Sequence, residues 1–405
     1  MTRAIVLFAA AAVLAIPASA AAGIFGTDPI NISARPSGGQ ANGSSGGPAI
    51  SGDNRKTRYA AFYSDASNLV GGDSNGKRDI FLWARPRGRK GLTLPRGAGT
   101  VKRVSVSNGG GQANGDSFSP SLDGSITKVA HCVAFQSVAS NLAPGDKDKT
   151  ADIFVRDIKA RKTFLVSRAI TGAASDPSID GACRNVAFVA SNKILVAPIR
   201  GGKAHVFGAG RNPDFSLDGS ALTWERGSSV ILRRNGRTSV VGAGDNPTVT
   251  DAERPAGKKV PQWGVSYDKS GNVLLRVLRP TGGPKKTINI SRGFGGTNVN
   301  GGITAYGTVR GIVTFTHTDG DRTDAYYFNE HSGNSDDTAH SASNNGEPGI
   351  IEQVTSARAN FIAFSSAFNG SLARGFSCRR GCDPASVFSE TQNVYFKMLV
   401  DGEAL

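Results

Sequence analysis

Three short acidic segments carry the residues best placed for chemistry: Asp73-Ser-Asn75-Gly-Lys-Arg-Asp79, Asp146-Lys-Asp148-Lys-Thr-Ala-Asp152 and Asp319-Gly-Asp321-Arg-Thr-Asp324. Oxygen side chains at alternate positions of a tight loop can converge on one hard cation, and a further carboxylate can close the shell. Ca²⁺ is the ion this chemistry selects, with Asp73, Asn75, Asp79, Asp146, Asp148 and Asp152 as the expected ligands. The alternative is an Asx turn between strands, in which Asp and Asn accept backbone N–H bonds. No other cofactor is implied.

The four cysteines fall into two spatial groups. Cys378 and Cys382 share one loop-like segment, and Cys132 and Cys183 each precede a Val-Ala-Phe strand. Pairing as Cys132–Cys183 and Cys378–Cys382 is the expectation, although four cysteines allow three connectivities. The five histidines, His131, His205, His317, His331 and His340, show no metalloprotease spacing. His131 adjoins Cys132, where a disulfide or core thiol is the simpler reading than metal or nucleophile chemistry. Gly43-Ser-Ser-Gly-Gly47 fits a nucleophile-elbow pattern but lies in a Gly/Ser stretch with no strand before it and no helix after it. No catalytic residue is assigned.

What positions the acidic turns is a repeat. From Pro120 the chain reads Pro-Ser-Leu-Asp-Gly, then a strand ending Val133 to Ser137, an Asn-Leu-x-x-Gly-Asp turn, Ile153 to Asp157, and Thr163 to Ser167. The same order begins at Pro48, and Ser-x-Ala-Ser-Asn-Leu occurs from Ser64 and again from Ser137. Shorter or looser copies follow, with Val186 to Ala190, Ala221 to Glu225, Ile312 to His317 and Phe361 to Ser366 as their second strands. Four short strands repeated about seven times predict an all-β propeller of four-stranded blades, seven in number, with six or eight as alternatives. The aromatics Phe62, Phe135, Phe188, Trp224, Phe315 and Phe364 are the expected core between blades.

The seventh copy stops after its third strand. Pro29-Ile-Asn-Ile-Ser33 matches Thr287-Ile-Asn-Ile-Ser291, the closing strand of the fifth copy. An N-terminal strand within 29–35 is therefore expected to complete the last blade and remove two exposed sheet edges. The expected organisation is a signal peptide over 1–20, a leader over 21–47 and the propeller over 48–405.

Met1 to Ala20 has Arg3, an apolar run to Ile16, Pro17 and Ala18-Ser-Ala20, the layout of a secretory signal cleaved after Ala20. An uncleaved anchor is the alternative; no later apolar run is long enough to span a bilayer. The formal charge is +15, and removal of Arg3 leaves 15 − 1 = +14. An exported basic chain can meet anionic envelope polymers or head groups; export and the lack of a motif argue against nucleic acid. Arg85, Arg87, Arg89 and Lys90 form the densest basic cluster, which a hairpin loop explains equally well.

The repeat, Pro-Ser-x-x-Asp-Gly, Val-Ala-Phe, Asn-Leu-x-x-Gly-Asp, Asp-Ile-Phe-Val-Arg-Asp, Val-Ser, resembles the TolB-like, WD-repeat-like propeller repeats of exported bacterial proteins. The acidic turn at Asp73 resembles the calcium loops of integrin-type propellers, departing from them at Asn75-Gly76 and at Lys77 and Arg78. The resemblance implies a scaffold or interaction propeller and no particular ligand. The expected function is a secreted or periplasmic, monomeric, non-catalytic propeller that binds a protein or an anionic envelope polymer. The alternative is a hydrolase or lyase with a composite site in the channel. Clustered Asp, Glu, His and Arg at one channel mouth would favour the enzyme; a lining of Gly, Ser and apolar residues would favour binding.

Overall fold

The computed structural model describes residues 30–35, 39–52, 57–86, 99–125, 128–146, 148–249, 263–278, 284–291 and the strands between 297 and 398. Short apolar strands separated by Gly, Asp, Asn and Pro leave no stretch with helical periodicity, and the described residues form seven antiparallel sheets. Blade 1 runs Ser45–Ile50, Tyr59–Ser64, Asp79–Ala84 and Thr100–Arg103. Blade 2 runs Ser117–Leu122, Cys132–Ser137, Asp152–Asp157 and Lys162–Leu165. Blade 3 holds Ala174–Ile179, Asn185–Ala190, Lys193–Pro198 and His205–Ala209. Blade 4 holds Arg211–Phe215, Ala221–Arg226, Ser229–Arg234 and Arg237–Ala243. Blade 5 holds Asp245–Val249, Trp263–Lys269, Asn272–Leu278 and Pro284–Asn289. Blade 6 is built on Val309–Asp319 and Arg322–Asn329, and blade 7 on Ile350–Thr355, Phe361–Phe368 and Phe388–Met398.

Ile30–Asn31 supplies the fourth strand of blade 7, pairing Ile30 with Phe396 and Asn31 with Tyr395. The ring closes as the Ile-Asn-Ile-Ser match requires. Val394 donates its N–H to Ser33 Oγ at 2.9 Å. Ile80 does the same to Ser105, Ile153 to Ser167 and Val273 to Ser291. In blades 1, 2, 5 and 7 a serine just beyond the outer strand thus satisfies one third-strand amide, and in blade 7 that serine comes from the other end of the chain. This is a seven-bladed β-propeller.

The first strands of blades 7, 1, 2, 3, 4 and 5 lie innermost and neighbour one another in that order. The aromatics of the second strands fill the space between blades: Phe62, Phe135, Phe188 and Trp224 are all fully buried. Phe62 stacks on Phe81 and Phe135 on Phe154, both at 5.9 Å between centroids. Tyr267 takes this position in blade 5, where it is buried. Phe315 and Phe364 lie on the second strands of blades 6 and 7.

Two readings change. The first blade begins at Ser45, ahead of Pro48, so Gly43-Ser-Ser-Gly-Gly47 runs into a channel-side strand, not a linker. Ser45 is fully buried and donates to Ser64 Oγ at 2.8 Å, tying the first strand of the blade to the second. Gln40-Ala-Asn42-Gly43 and the Ala66-Ser-Asn68-Leu69 phrase also turn out to be one device. Asn42 takes the N–H of Ser67, and Asn68 takes the N–H of Asn42. Asn114 and Asn141 repeat these bonds in blade 2.

Candidate functional site

The first acidic turn is organised around an arginine. Arg103, at the end of the outer strand of blade 1, reaches Asp73 at 2.8 Å and Asp79 at 3.1 Å. Gln112 Oε1 accepts from Arg103 at 2.9 Å and from the N–H groups of Ser74 and Asn75. Asn75 donates to Asp79 at 2.9 Å, and Asp79 accepts from Ser105 Oγ at 2.5 Å. Burial pushes the Asp79 carboxyl up, against the bonds from Ser105, Asn75 and Arg103 that pull it down. The three sequence-predicted ligands therefore do meet, but a guanidinium supplies the positive charge between them, and a metal ion would have to displace it.

The second turn differs at one register position. Arg103 pairs with Phe81 in blade 1; the equivalent partner of Phe154 in blade 2 is Leu165. Asp146, Asp148 and Asp152 each bring a carboxylate oxygen within 4.8 Å of the others. Burial first, then the charges of Asp146 and Asp148, push Asp152 up, and Asp146 is raised by burial and by Asp148. Asp148 is lowered by two bonds from Thr150. Asp152 also accepts from Ser167 Oγ, the counterpart of the Ser105–Asp79 bond. This donor set of hard oxygens fits Ca²⁺. In the third turn, Asp319 and Asp324 end and enter strands, and Asp321 lies outside the described residues.

Cys132 and Cys183 form a disulfide joining blades 2 and 3. Cys378 and Cys382, residues 1–20 and most of the Arg85 to Lys90 cluster lie outside the described residues. The Asp-Gly turns serve the ring. Asp123 Oδ1 accepts the N–H groups of His131 and Cys132, and Asp180 accepts those of Arg184 and Asn185. Ser51 and Ser216 do this work in blades 1 and 4, and Asp218 merely caps the turn that follows Ser216.

These turns meet at one end of the channel. Gly52 N–H donates to Asp123 O, Gly124 to Gly181 O, and Gly181 to Leu217 O, at 3.3, 3.1 and 3.0 Å. A Cβ on Gly181 would lie 2.3 Å from the carbonyl oxygens of both Gly124 and Leu217. Glycine is needed there for close approach, whereas Gly124, at φ +108°, needs its backbone freedom.

The other end is asymmetric, and no linear motif announces it. At the equivalent pairing of the first and second strands, blades 1 and 2 place Gly46 opposite Tyr63 and Phe118 opposite Gln136. Blades 4 and 5 place Arg211 opposite Glu225 and Asp245 opposite Asp268. Glu225 is 1% exposed. Its oxygens accept from Arg211 Nε, from Asn212 Nδ2 and, at 2.8 Å, from the N–H of Asn246. Asn246 in turn donates to Asp268 at 2.8 Å. Asn212 and Asn246 both have positive φ and both precede a proline, as do Gly47, Ser119 and Asp176. On four of these strands the left-handed residue is not glycine and carries backbone strain, and the carboxylates hold two of them in place.

Asp214 lies deeper on the same innermost strand. Its Oδ2 accepts the N–H of Val249 at 2.8 Å, just as Ser178 accepts from Phe215 and Ser121 from Ile179. Burial pushes this carboxyl up to about 7. Asp176 is raised as well, chiefly by burial and then by the charge of Glu225. The channel thus holds two carboxyls that take up protons more readily than a free aspartate.

No family model matches the chain, and no curated protein matches it in sequence. Solved structures do align. TolB from Acinetobacter baumannii aligns at 14% identity and TM-score 0.37, covering 62% of this chain and 57% of its own. An oligogalacturonate lyase in complex with manganese aligns at 9% identity and TM-score 0.47, covering 93% and 97%. The β-propeller domain of the Trilobed protease from Pyrococcus furiosus aligns at 11% identity and TM-score 0.48, covering 90% and 95%.

Proposed function

We propose that this chain is an exported, non-catalytic propeller that binds a protein partner at the channel mouth formed by blades 3 to 5. The observation that supports this reading is the Glu225 cluster. Both of its oxygens are already engaged, so the group acts as a rigid anchor that presents the Arg211 guanidinium, 65% exposed, beside Asn212 and the exposed Asp245. A surface of alternating charge and amide on a stiff scaffold suits a protein surface better than an anionic polymer, which the carboxylates would repel. The Cys132–Cys183 disulfide suits an oxidising compartment. A photo-crosslinker placed at Asp245 should capture one discrete envelope protein, and Arg211→Glu should abolish that capture. Equal capture from a crosslinker at exposed Lys162, on the rim of blade 2, would refute the assignment.

A second reading rests on Asp214. A channel carboxyl that titrates near neutrality is suited to general acid–base work in a hydrolase or lyase. Turnover of an envelope polysaccharide or peptide that disappears in Asp214→Asn would establish it.

A third proposal concerns the turn of blade 2. Asp146, Asp148 and Asp152 hold Ca²⁺ there, in the place that Arg103 fills in blade 1.

A further inference from the structure

We propose that Asp123, His131, Cys132 and Cys183 form a latent zinc site, closed by the disulfide and opened when a dithiol reduces it. One ligand atom from each residue lies within 4.8 Å of the other three. Two sulfurs, an imidazole nitrogen and a carboxylate oxygen make a four-coordinate set of the kind that Zn²⁺ prefers. Such a site needs His131 Nδ1 and Asp123 Oδ2 about 3.3 Å apart as one edge of the tetrahedron; they stand at 3.0 Å.

The surroundings hold these ligands in place without the sulfur–sulfur bond. Asp123 Oδ1 is fixed by the N–H groups of His131 and Cys132 at 2.7 and 2.8 Å, which aims Oδ2 at the imidazole. Cys183 donates its N–H to Asp180 O at 3.1 Å, and the Gly124–Gly181 bond ties the two turns together at 3.1 Å. Blades 2 and 3 therefore stay in register when the bridge opens, and the sulfurs need only part to about 3.7 Å. Asp123 and Cys132 are 0% exposed and Cys183 is 5% exposed. The His131 side chain is 34% exposed and provides the entry path.

The chemistry balances. A dithiol reduces the disulfide to two thiols and is itself oxidised to a disulfide. Zn²⁺ then binds both sulfurs as thiolates and releases two protons. The staple between blades changes from a covalent bond to a metal bridge. This inference is independent of the binding reading above, since it concerns the opposite end of the channel.

The test uses the full chain carrying Cys378→Ser and Cys382→Ser, reduced with a phosphine and titrated with Co²⁺. One equivalent should produce the thiolate charge-transfer and d–d bands of tetrahedral cobalt, which Zn²⁺ should displace. The oxidised chain should give no such spectrum. His131→Ala, which leaves both sulfurs in place, should weaken binding at least tenfold. Zn²⁺ should also raise the melting temperature of the reduced chain toward that of the oxidised one. Absence of tetrahedral bands after reduction, or equal affinity in His131→Ala, would overturn the proposal. If the serine variant does not fold, the wild-type chain compared with His131→Ala gives the same decision.

Discussion

Asp214 offers a direct measurement of what a charge inside the channel does to this fold. Its neighbours in the ring, Ser121 and Ser178, make the same bond to the next blade with a neutral hydroxyl. Asp214 makes it with a carboxyl whose proton leaves only at about 7, against an ordinary 3.8. Between those values the folded chain holds a proton that the unfolded chain has released, so stability falls as pH rises. At 1.36 kcal/mol per pH unit the full loss is about 4 kcal/mol, complete above pH 7 and absent below pH 4. Partial access of channel water reduces this to about 2–4 kcal/mol. Asp214→Asn keeps an acceptor for Val249 and removes the charge. At pH 8 the variant should be more stable than the wild type by that amount, a rise in melting temperature of about 4 °C for a domain of this size. At pH 4 the two should melt together. The assay is calorimetry across pH 4 to 8, comparing the two chains at each pH so that the other raised carboxyls, Asp79, Asp146, Asp152 and Asp176, cancel. Parallel curves for the two chains, or a variant that is weaker at pH 8, would refute the argument.

Other outcomes follow from the same geometry. Deleting residues 29–35 exposes the pockets of Ile30 and Ile32, which are only 7% and 2% exposed, and should cost at least about 3 kcal/mol; an unchanged melting temperature would sink the ring closure. Ser33→Ala alone leaves the Val394 amide unsatisfied and should cost about 1–3 kcal/mol in a thermal melt. Replacing both Cys132 and Cys183 with serine frees a loop with sequence separation 51 and should cost about 4 kcal/mol by chain entropy, read as the gap between oxidised and variant denaturation midpoints. If the Asp146 turn holds Ca²⁺, an ion concentration 100 times its Kd stabilises by about 2.7 kcal/mol. Asp148→Asn should reduce that gain, and a melt indifferent to both Ca²⁺ and chelator would retire the site. Asp79→Asn in blade 1 should show no calcium dependence of its own, because Arg103 already pairs there.

Much of the architecture was legible from residues alone. A blade is a local unit: short strands, tight turns bearing Gly, Asp or Asn, and an aromatic on the second strand recur from copy to copy. Copies compared within one chain exposed the ring closure, because Ile-Asn-Ile-Ser at 30–33 carries the same bonding pattern as 288–291. The Cys132–Cys183 bridge was legible for the same reason, each cysteine standing before an equivalent strand.

Tertiary structure decided which polar groups meet. Nothing near Asp73 or Asp79 in sequence identified Arg103 as their partner, since it arrives from the outer strand, and Leu165 at the same register position in blade 2 leaves a different turn behind. The Glu225 cluster draws on Arg211 and Asn212 from one strand and on Asn246 from the next blade. The site's side chains come from separate strands and separate blades, so no linear spacing records it. Repetition specifies the blades because their bonds lie within each copy; the channel is specified between copies, where only the closed ring brings the side chains together.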